Sequence, residues 1–254
     1  MLGYTATMND DATSTASTAS TMVHVDARTG LIHAAGLDRA AAWAVFEAAG
    51  DVQAGRGRGA IRRVDTPVGR VVVRHYQRGG LVAKLSRDRF VWTGAEASRP
   101  FREFRVTQRL HAIGLPVPEA VAGRFVRDGF GYRADLATRE IAGARTLAER
   151  LASGDAAVDW VELGVSIARF HAVGLWHADL NAHNLLFDAH ACPWLIDFDR
   201  ARFVAPFASS LAGNLDRLAR SLGKLGHGAL VTGAPWSAFR RAYDQAIQAA
   251  AAAR

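Results

Sequence analysis

The stretch from Gly174 to Arg202 constrains the fold more than any other part of the chain. It is GLWHADLNAHNLLFDAHACPWLIDFDRAR, in which two short apolar runs, LLFD and WLID, follow a loop of polar residues. The runs are too short for helices and are joined by a turn at AHAC, which predicts a small hairpin beneath the loop. Loop and hairpin together collect His177, Asp179, Asn184, Asp197 and Asp199. A hard cation such as Mg²⁺ takes a few oxygen ligands and leaves its other positions to water and phosphate. Asn184 offers a neutral carbonyl and Asp197 a carboxylate, a set that suits a metal bridging triphosphate oxygens. Asp179, kept off the metal, is then placed to accept the proton of an attacking hydroxyl and to orient it in line. The alternative is an ordinary surface loop of polar residues. His177 is expected to brace the loop, and His171 and His183 are expected to be structural.

The rest of the chain places this segment in a β-rich half followed by a helical half. Residues 9–22 form a Ser/Thr/Ala tract with nothing to pack, and residues 1–30 are expected to be a disordered tail. Residues 31–143 are expected to form an N-terminal lobe and 144–254 a helical C-terminal lobe, with a cleft between them. The run AGRGRGAIRRV, the turn at Thr66–Gly69 and RVVVRHY predict a hairpin preceded by glycines. Residues 97–113 predict a helix with Pro100 in its first turn, on which Glu103 shares a face with Val106, Leu110 and Ile113. An acid facing a core is costly unless it meets a cation. Further helices are expected at 145–152, 159–173, along NLDRLARSLGKL, and over 236–253.

Charge narrows the partners. The net charge is +7, and of 31 basic residues only Lys84 and Lys224 are lysines. Such a surface favours anionic partners such as nucleotides, nucleic acid or acidic lipid head groups, and sign alone does not choose among them; it is the resemblance given below that implies no nucleic-acid partner. Arg217, Arg220 and Lys224 fall on one stripe of a helix whose opposite face holds Leu215, Leu218, Leu222 and Leu225. Arg78, Lys84, Arg87 and Arg89 cluster after the RVVVRHY strand. Each group is either a phosphate- or lipid-facing patch or a solvated surface. A single cysteine, Cys192, fits a reducing setting. The chain shows neither a secretory signal nor a run apolar enough to span a bilayer.

HADLNAHN resembles the protein-kinase catalytic loop H-x-D-x-x-x-x-N, and DFD at 197–199 resembles the metal-binding D-F-G. The resemblance implies an α+β, protein-kinase-like two-lobed fold, ATP as phosphoryl donor and Mg²⁺ as metal. Gly55, Gly57 and Gly59 then resemble the glycine-rich loop over the phosphates, although a flexible linker has the same composition. Arg74 stands where kinases carry a strand lysine, and Glu103 matches the helix acid that pairs with it; an ordinary ion pair accounts for both as well. Three departures are the Arg at 74, Asn181 two residues after the base, and Asp199 in place of glycine. No A-P-E follows, and residues 200–214 are too few for a peptide platform, so a protein acceptor is not expected.

Taken together, GRGRGAIRRV, VVRHYQRGGL, RPFREF, GLPVPEAVA, YRADLATREI, GLWHADLNAHNLL, WLIDFDRAR and NLDRLARSLGKL resemble the 3-deoxy-D-manno-octulosonic acid (Kdo) kinases of Gram-negative bacteria. This likeness covers roughly residues 50–225. It implies phosphorylation of the 4-hydroxyl of Kdo on a lipid A precursor, at the cytoplasmic face of the inner membrane, by a peripheral protein touching the anionic surface. A kinase acting on heptose or an aminoglycoside, and a nucleotide-binding pseudokinase, are the other readings open to these motifs.

Overall fold

Alternation of branched apolar and polar residues around tight turns builds the first half of the molecule. The computed structural model describes residues 21–54, 60–78, 88–154 and 158–253. Its first unit comprises residues up to Ile113 and Pro118–Glu140. The elements of this unit are β1 (Thr21–Val25), β2 (Thr29–Ala34), α1 (Arg39–Ala44), β3 (Asp51–Ala54), β4 (Ala60–Thr66), β5 (Gly69–His75), β6 (Phe90–Val91), α2 (Arg99–Ala112), β7 (Ala120–Asp128) and β8 (Gly131–Arg139). They form one sheet of order β1-β2-β7-β8-β5-β4-β3, with β6 also paired to β8. All its pairings are antiparallel.

The expected hairpin is β4–β5. Thr66 pairs with Gly69 across Pro67-Val68, and Gly69 takes a φ of 104°, which costs an L side chain dearly. Period-two alternation then sends successive β5 residues to opposite faces. Val71 and Val73 join the core shared with Ala42, Val45 and Phe46 at α1. Arg74 lies on the other face, where Phe101 and Phe104 of α2 pack with Phe125, Tyr132 and Tyr76. α2 lies close on β7: a Cβ on Gly123 would come within 3.2 Å of the Pro100 carbonyl.

Two expectations are corrected here. Residues 21–30, assigned to the tail, are ordered as β1 and the start of β2, because Leu31 and Ile32 carry that hairpin into the sheet. Asp26 holds its turn by accepting from the N–H groups of Arg28 and Thr29. Ile113 does not share the buried face of α2 and is 52% exposed. The helix ends at Ala112, so the buried stripe is Phe101, Glu103, Phe104, Thr107 and Leu110.

The second unit comprises Gly114–Val117 and the chain from Ile141 onward, so the division falls after Glu140 rather than after Gly143. Gly114–Val117 belongs here: the Gly114 carbonyl accepts from Arg169, and the Pro116 carbonyl from Leu195 N–H. The elements are β9 (Arg145–Thr146), α3 (Leu147–Ala152), α4 (Trp160–Ala172), β10 (Leu175–Trp176), β11 (Leu185–Phe187), β12 (Pro193–Leu195), β13 (Arg202–Phe203), α5 (Ala212–Lys224), α6 (Gly228–Thr232) and α7 (Ala234–Ala252). Asp159 caps α4 through the N–H groups of Val161 and Glu162, and a Thr146–Glu149 capping box opens α3. α4 and α7 approach so closely at Gly164 that a Cβ there would lie 2.4 Å from the Phe239 carbonyl. The LLFD and WLID runs are β11 and β12, an antiparallel hairpin, with β9 on the far side of β11. A sheet-rich unit followed by a helical one is the α+β, protein-kinase-like organisation expected. Among the described residues no helix is long and apolar enough to cross a membrane.

Candidate active site

Side chains bonded to backbone groups shape the loop 177–184. The His177 ring accepts at Nδ1 from Asp179 N–H (3.1 Å), so its proton sits on Nε2 and is donated to the Ile196 carbonyl (3.0 Å). One imidazole thereby joins the segment carrying Asp179 to the segment carrying Asp197, the bracing role expected of it. Phe198 lies edge-on against the same ring. The Asn184 amide donates to the Asp179 carbonyl at 2.8 Å, and the Asn184 carbonyl accepts from Ile196 N–H at 3.1 Å. That second bond extends the β11–β12 pairing by one step and sets Asn184 opposite Ile196, beside Asp197. Asp197 has a φ of 68°, a left-handed conformation that costs a non-glycine residue about 1 kcal/mol or more. Strain of this kind at a single carboxylate marks a residue whose direction matters.

A divalent cation fits this donor set. Asn184 spends its amide hydrogen on the loop, which leaves its side-chain oxygen as the ligand atom, and Asp197 supplies a carboxylate. One amide oxygen and one carboxylate are hard oxygen donors, which suit Mg²⁺ rather than a soft metal. Asn181, which stands where many kinases place a lysine, folds onto the loop instead. It donates to the Asp179 carbonyl and accepts from His183 N–H.

Residues not predicted from sequence support this loop from behind. Asn214, on α5 and 1% exposed, donates to the His177 carbonyl (2.7 Å) and accepts from His177 N–H (3.0 Å). Its side-chain oxygen also faces His171 Nε2 at 3.3 Å, while His171 Nδ1 meets the Tyr243 hydroxyl at 2.8 Å. An amide oxygen only accepts, so His171 carries its proton on Nε2 and Tyr243 donates to Nδ1. Burial holds the His171 pKa down to about 4, which keeps the ring neutral, and burial raises that of Tyr243. About two turns along α5, Ser221 accepts from Ala182 N–H. The sequence shows only that Asn214, Leu218 and Ser221 lie at +0, +4 and +7, polar groups on the leucine face, and not what they meet. Arg220 and Lys224 are exposed and Arg217 is half-buried.

In the first unit, Arg74 and Glu103 meet as the sequence predicts. Arg74 Nη2 donates to both Glu103 oxygens, at 2.6 and 2.5 Å, and Glu103 is 2% exposed. Tyr76 donates to the same carboxylate at 2.5 Å and lays its ring 4.7 Å from the Arg74 guanidinium. It lies two residues beyond Arg74, so its hydroxyl falls on the same face. Gly55, Gly57 and Gly59 lie outside the described residues, between β3 and β4, as do Lys84 and Arg87. Of the remaining members of that basic cluster, Arg89 pairs with Asp128 and Arg78 lies over Phe90.

Asp179, Asn184 and Asp197 lie on segments tied to one another through Asn184 and His177, in a chain whose motifs resemble those of kinases. Comparison of the whole chain agrees: residues 42–243 match the model of the lipopolysaccharide kinase (Kdo/WaaP) family, and the chain belongs to that family. It is 45% identical over 192 residues to the 3-deoxy-D-manno-octulosonic acid kinase of Stenotrophomonas maltophilia strain K279a, covering 75% of this chain and 77% of that protein. To the protein of the same name from Xanthomonas axonopodis pv. citri strain 306 it is 48% identical over 169 residues, covering 66% and 68%.

Proposed function

We propose that the chain phosphorylates the 4-hydroxyl of a Kdo residue on a lipid A precursor, using ATP and Mg²⁺, as a peripheral protein of the cytoplasmic face of the inner membrane. The observation that carries this reading is the pair of bonds from Asn184, one to the Asp179 carbonyl and one from Ile196 N–H, which gathers base and ligands in one small frame. The names of the relatives supply the sugar.

Phosphoryl transfer passes through a loose transition state, so catalysis rests on positioning and charge. Asp179 takes the proton from the acceptor hydroxyl as that oxygen bonds to the γ-phosphorus and ADP departs. Asn184 and Asp197 would hold the metal, which neutralises charge on the phosphate oxygens. Arg74, fixed by Glu103 and Tyr76, is assigned to the nucleotide phosphates, as is the segment containing Gly55, Gly57 and Gly59.

The test is transfer from γ-labelled ATP to a Kdo-bearing lipid A precursor in detergent, beside heptose-bearing lipid and an aminoglycoside. Label on the Kdo lipid alone is expected. Label on another acceptor reassigns the substrate, and nucleotide binding without transfer to any acceptor would make the protein a pseudokinase.

A further inference from the structure

The β7–β8 hairpin ends in a two-residue turn whose composition the fold does not require. Asp128 pairs with Gly131, so Gly129 and Phe130 form the turn, and Gly129 takes the positive φ of 60° that such a turn demands. Any polar residue would serve beside it. The chain places a phenylalanine there, and it is 97% exposed. Val91 of β6, paired with Gly131, is 68% exposed, and Val25, at the β1–β2 turn on the same end of the sheet, is 43% exposed. Among the described residues these are three of eight exposed large apolar side chains.

Arginines surround this end. Arg89 and Arg133 pair with Asp128 and Asp88. Among the described residues, no carboxylate pairs with Arg28, Arg78 or Arg127. Arg127 bonds to the Ala27 carbonyl and lies over Trp92, and Arg78 lies over Phe90. Asp26 makes no ion pair with any of the three, its oxygens being bound to the N–H groups of its own turn and to Thr29. An aromatic at a protruding tip, set among cations, suits an anionic lipid surface: the ring enters the headgroup boundary and the guanidinium groups meet phosphates. A protein groove would more commonly be met by a continuous apolar face, whereas these apolar groups stand apart on separate turns.

We propose that this end of the sheet is the surface through which the protein contacts an anionic bilayer, with Phe130 as the inserted residue. The proposal gives a location to the membrane contact in the functional reading above and rests on it for its biological sense, but the two are tested apart. The full chain is sedimented with vesicles of phosphatidylethanolamine and phosphatidylglycerol, and with vesicles of phosphatidylcholine alone. The parent is expected to partition onto the anionic vesicles. Phe130→Asp, at a solvent-exposed turn, should fold as the parent does and lose about tenfold in partition. Phe130→Trp should keep binding and shift its added fluorescence to the blue on the anionic vesicles. Transfer to acceptor in detergent should be the same in all three proteins. Equal partition of Phe130→Asp and parent overturns the proposal, as does a parent that ignores anionic vesicles, or a tip whose substitution abolishes only self-association. Loss of transfer to Kdo lipid in every protein, with vesicle binding intact, would overturn the function and leave this surface standing.

Discussion

The two candidate clusters are held together by opposite means. In the first unit Arg74, Glu103 and Tyr76 meet side chain to side chain around a buried charge. In the second unit the loop is fixed by neutral groups, the His177 ring and the Asn184 and Asn214 amides, acting on backbone. Asp179 gives that framework its N–H, to the His177 ring, and its carbonyl, to the Asn184 amide. A buried charge makes each partner necessary to the other, since removing one strands the rest. A neutral framework acting on backbone keeps these bonds when the side chain proposed to react is changed.

The sharpest way to break this comparison is Asp179→Ala. Transfer should fall by about 10³-fold or more, as expected for loss of a general base, while nucleotide binding and the thermal midpoint stay close to the parent's. A variant that unfolds would show that Asp179 supports the loop through its side chain, and the contrast would fail. Glu103→Ala should behave the opposite way. It leaves Arg74 and the Tyr76 hydroxyl without their shared acceptor, at a cost of about 3 kcal/mol in urea unfolding. Glu103→Gln keeps acceptors for the hydroxyl and should lose less. If both are as stable as the parent, the ion pair does no structural work.

Asn214 sharpens the other half. Asn214→Leu fills the site with apolar bulk but leaves His177 N–H, its carbonyl and His171 Nε2 unmet, a loss of about 2 kcal/mol. Because the loop shifts while the nucleotide contacts assigned to the first unit remain, kcat should fall with little change in KM for ATP. Asn214→Asp keeps the acceptor but sets a buried carboxyl against the His177 carbonyl, so it should recover part of the rate only where that carboxyl holds a proton and donates in place of the amide. A purely structural amide would move stability in both variants and leave kcat alone.

Much of this was legible in the sequence because it depends on period and spacing. The β4–β5 hairpin follows from two branched runs around Pro67 and Gly69, and α4 from Leu163, Ile167 and Phe170. The Glu103–Arg74 contact follows from asking what pays for an acid on an apolar helix face. The sequence left hidden whatever depends on a partner distant in the chain. Tyr76 is an ordinary core aromatic until Glu103 is placed opposite it. Asn214 is an ordinary helix polar residue until His177, 37 positions away, is brought to it. The left-handed backbone of Asp197 has no compositional sign, since glycine would be the usual choice there. Residues 21–30 were misassigned because the polar tract before them masks a short hairpin that is stable only when β2 pairs with β7.

The last contrast concerns pH, where one histidine in each unit titrates in an opposite sense. His171 is held at about 4, below its ordinary 6.5, by burial. The unfolded chain therefore binds a proton that the folded chain refuses, and stability falls as pH drops from about 6.5 to about 4, by roughly 3 kcal/mol. His75 is raised instead, first by its hydrogen bond to Asp135 at 2.7 Å and further by Asp88. Its contribution is fully present below its unfolded pKa near 6.5 and is lost as pH rises through the higher folded value. Urea unfolding followed across this range should therefore show His171→Phe flattening the acid limb and His75→Gln flattening the loss above neutrality, the second being smaller because that ring is partly in solvent. If the two variants changed the same limb, the contrast between a charged first unit and a neutral second one would not extend to their histidines.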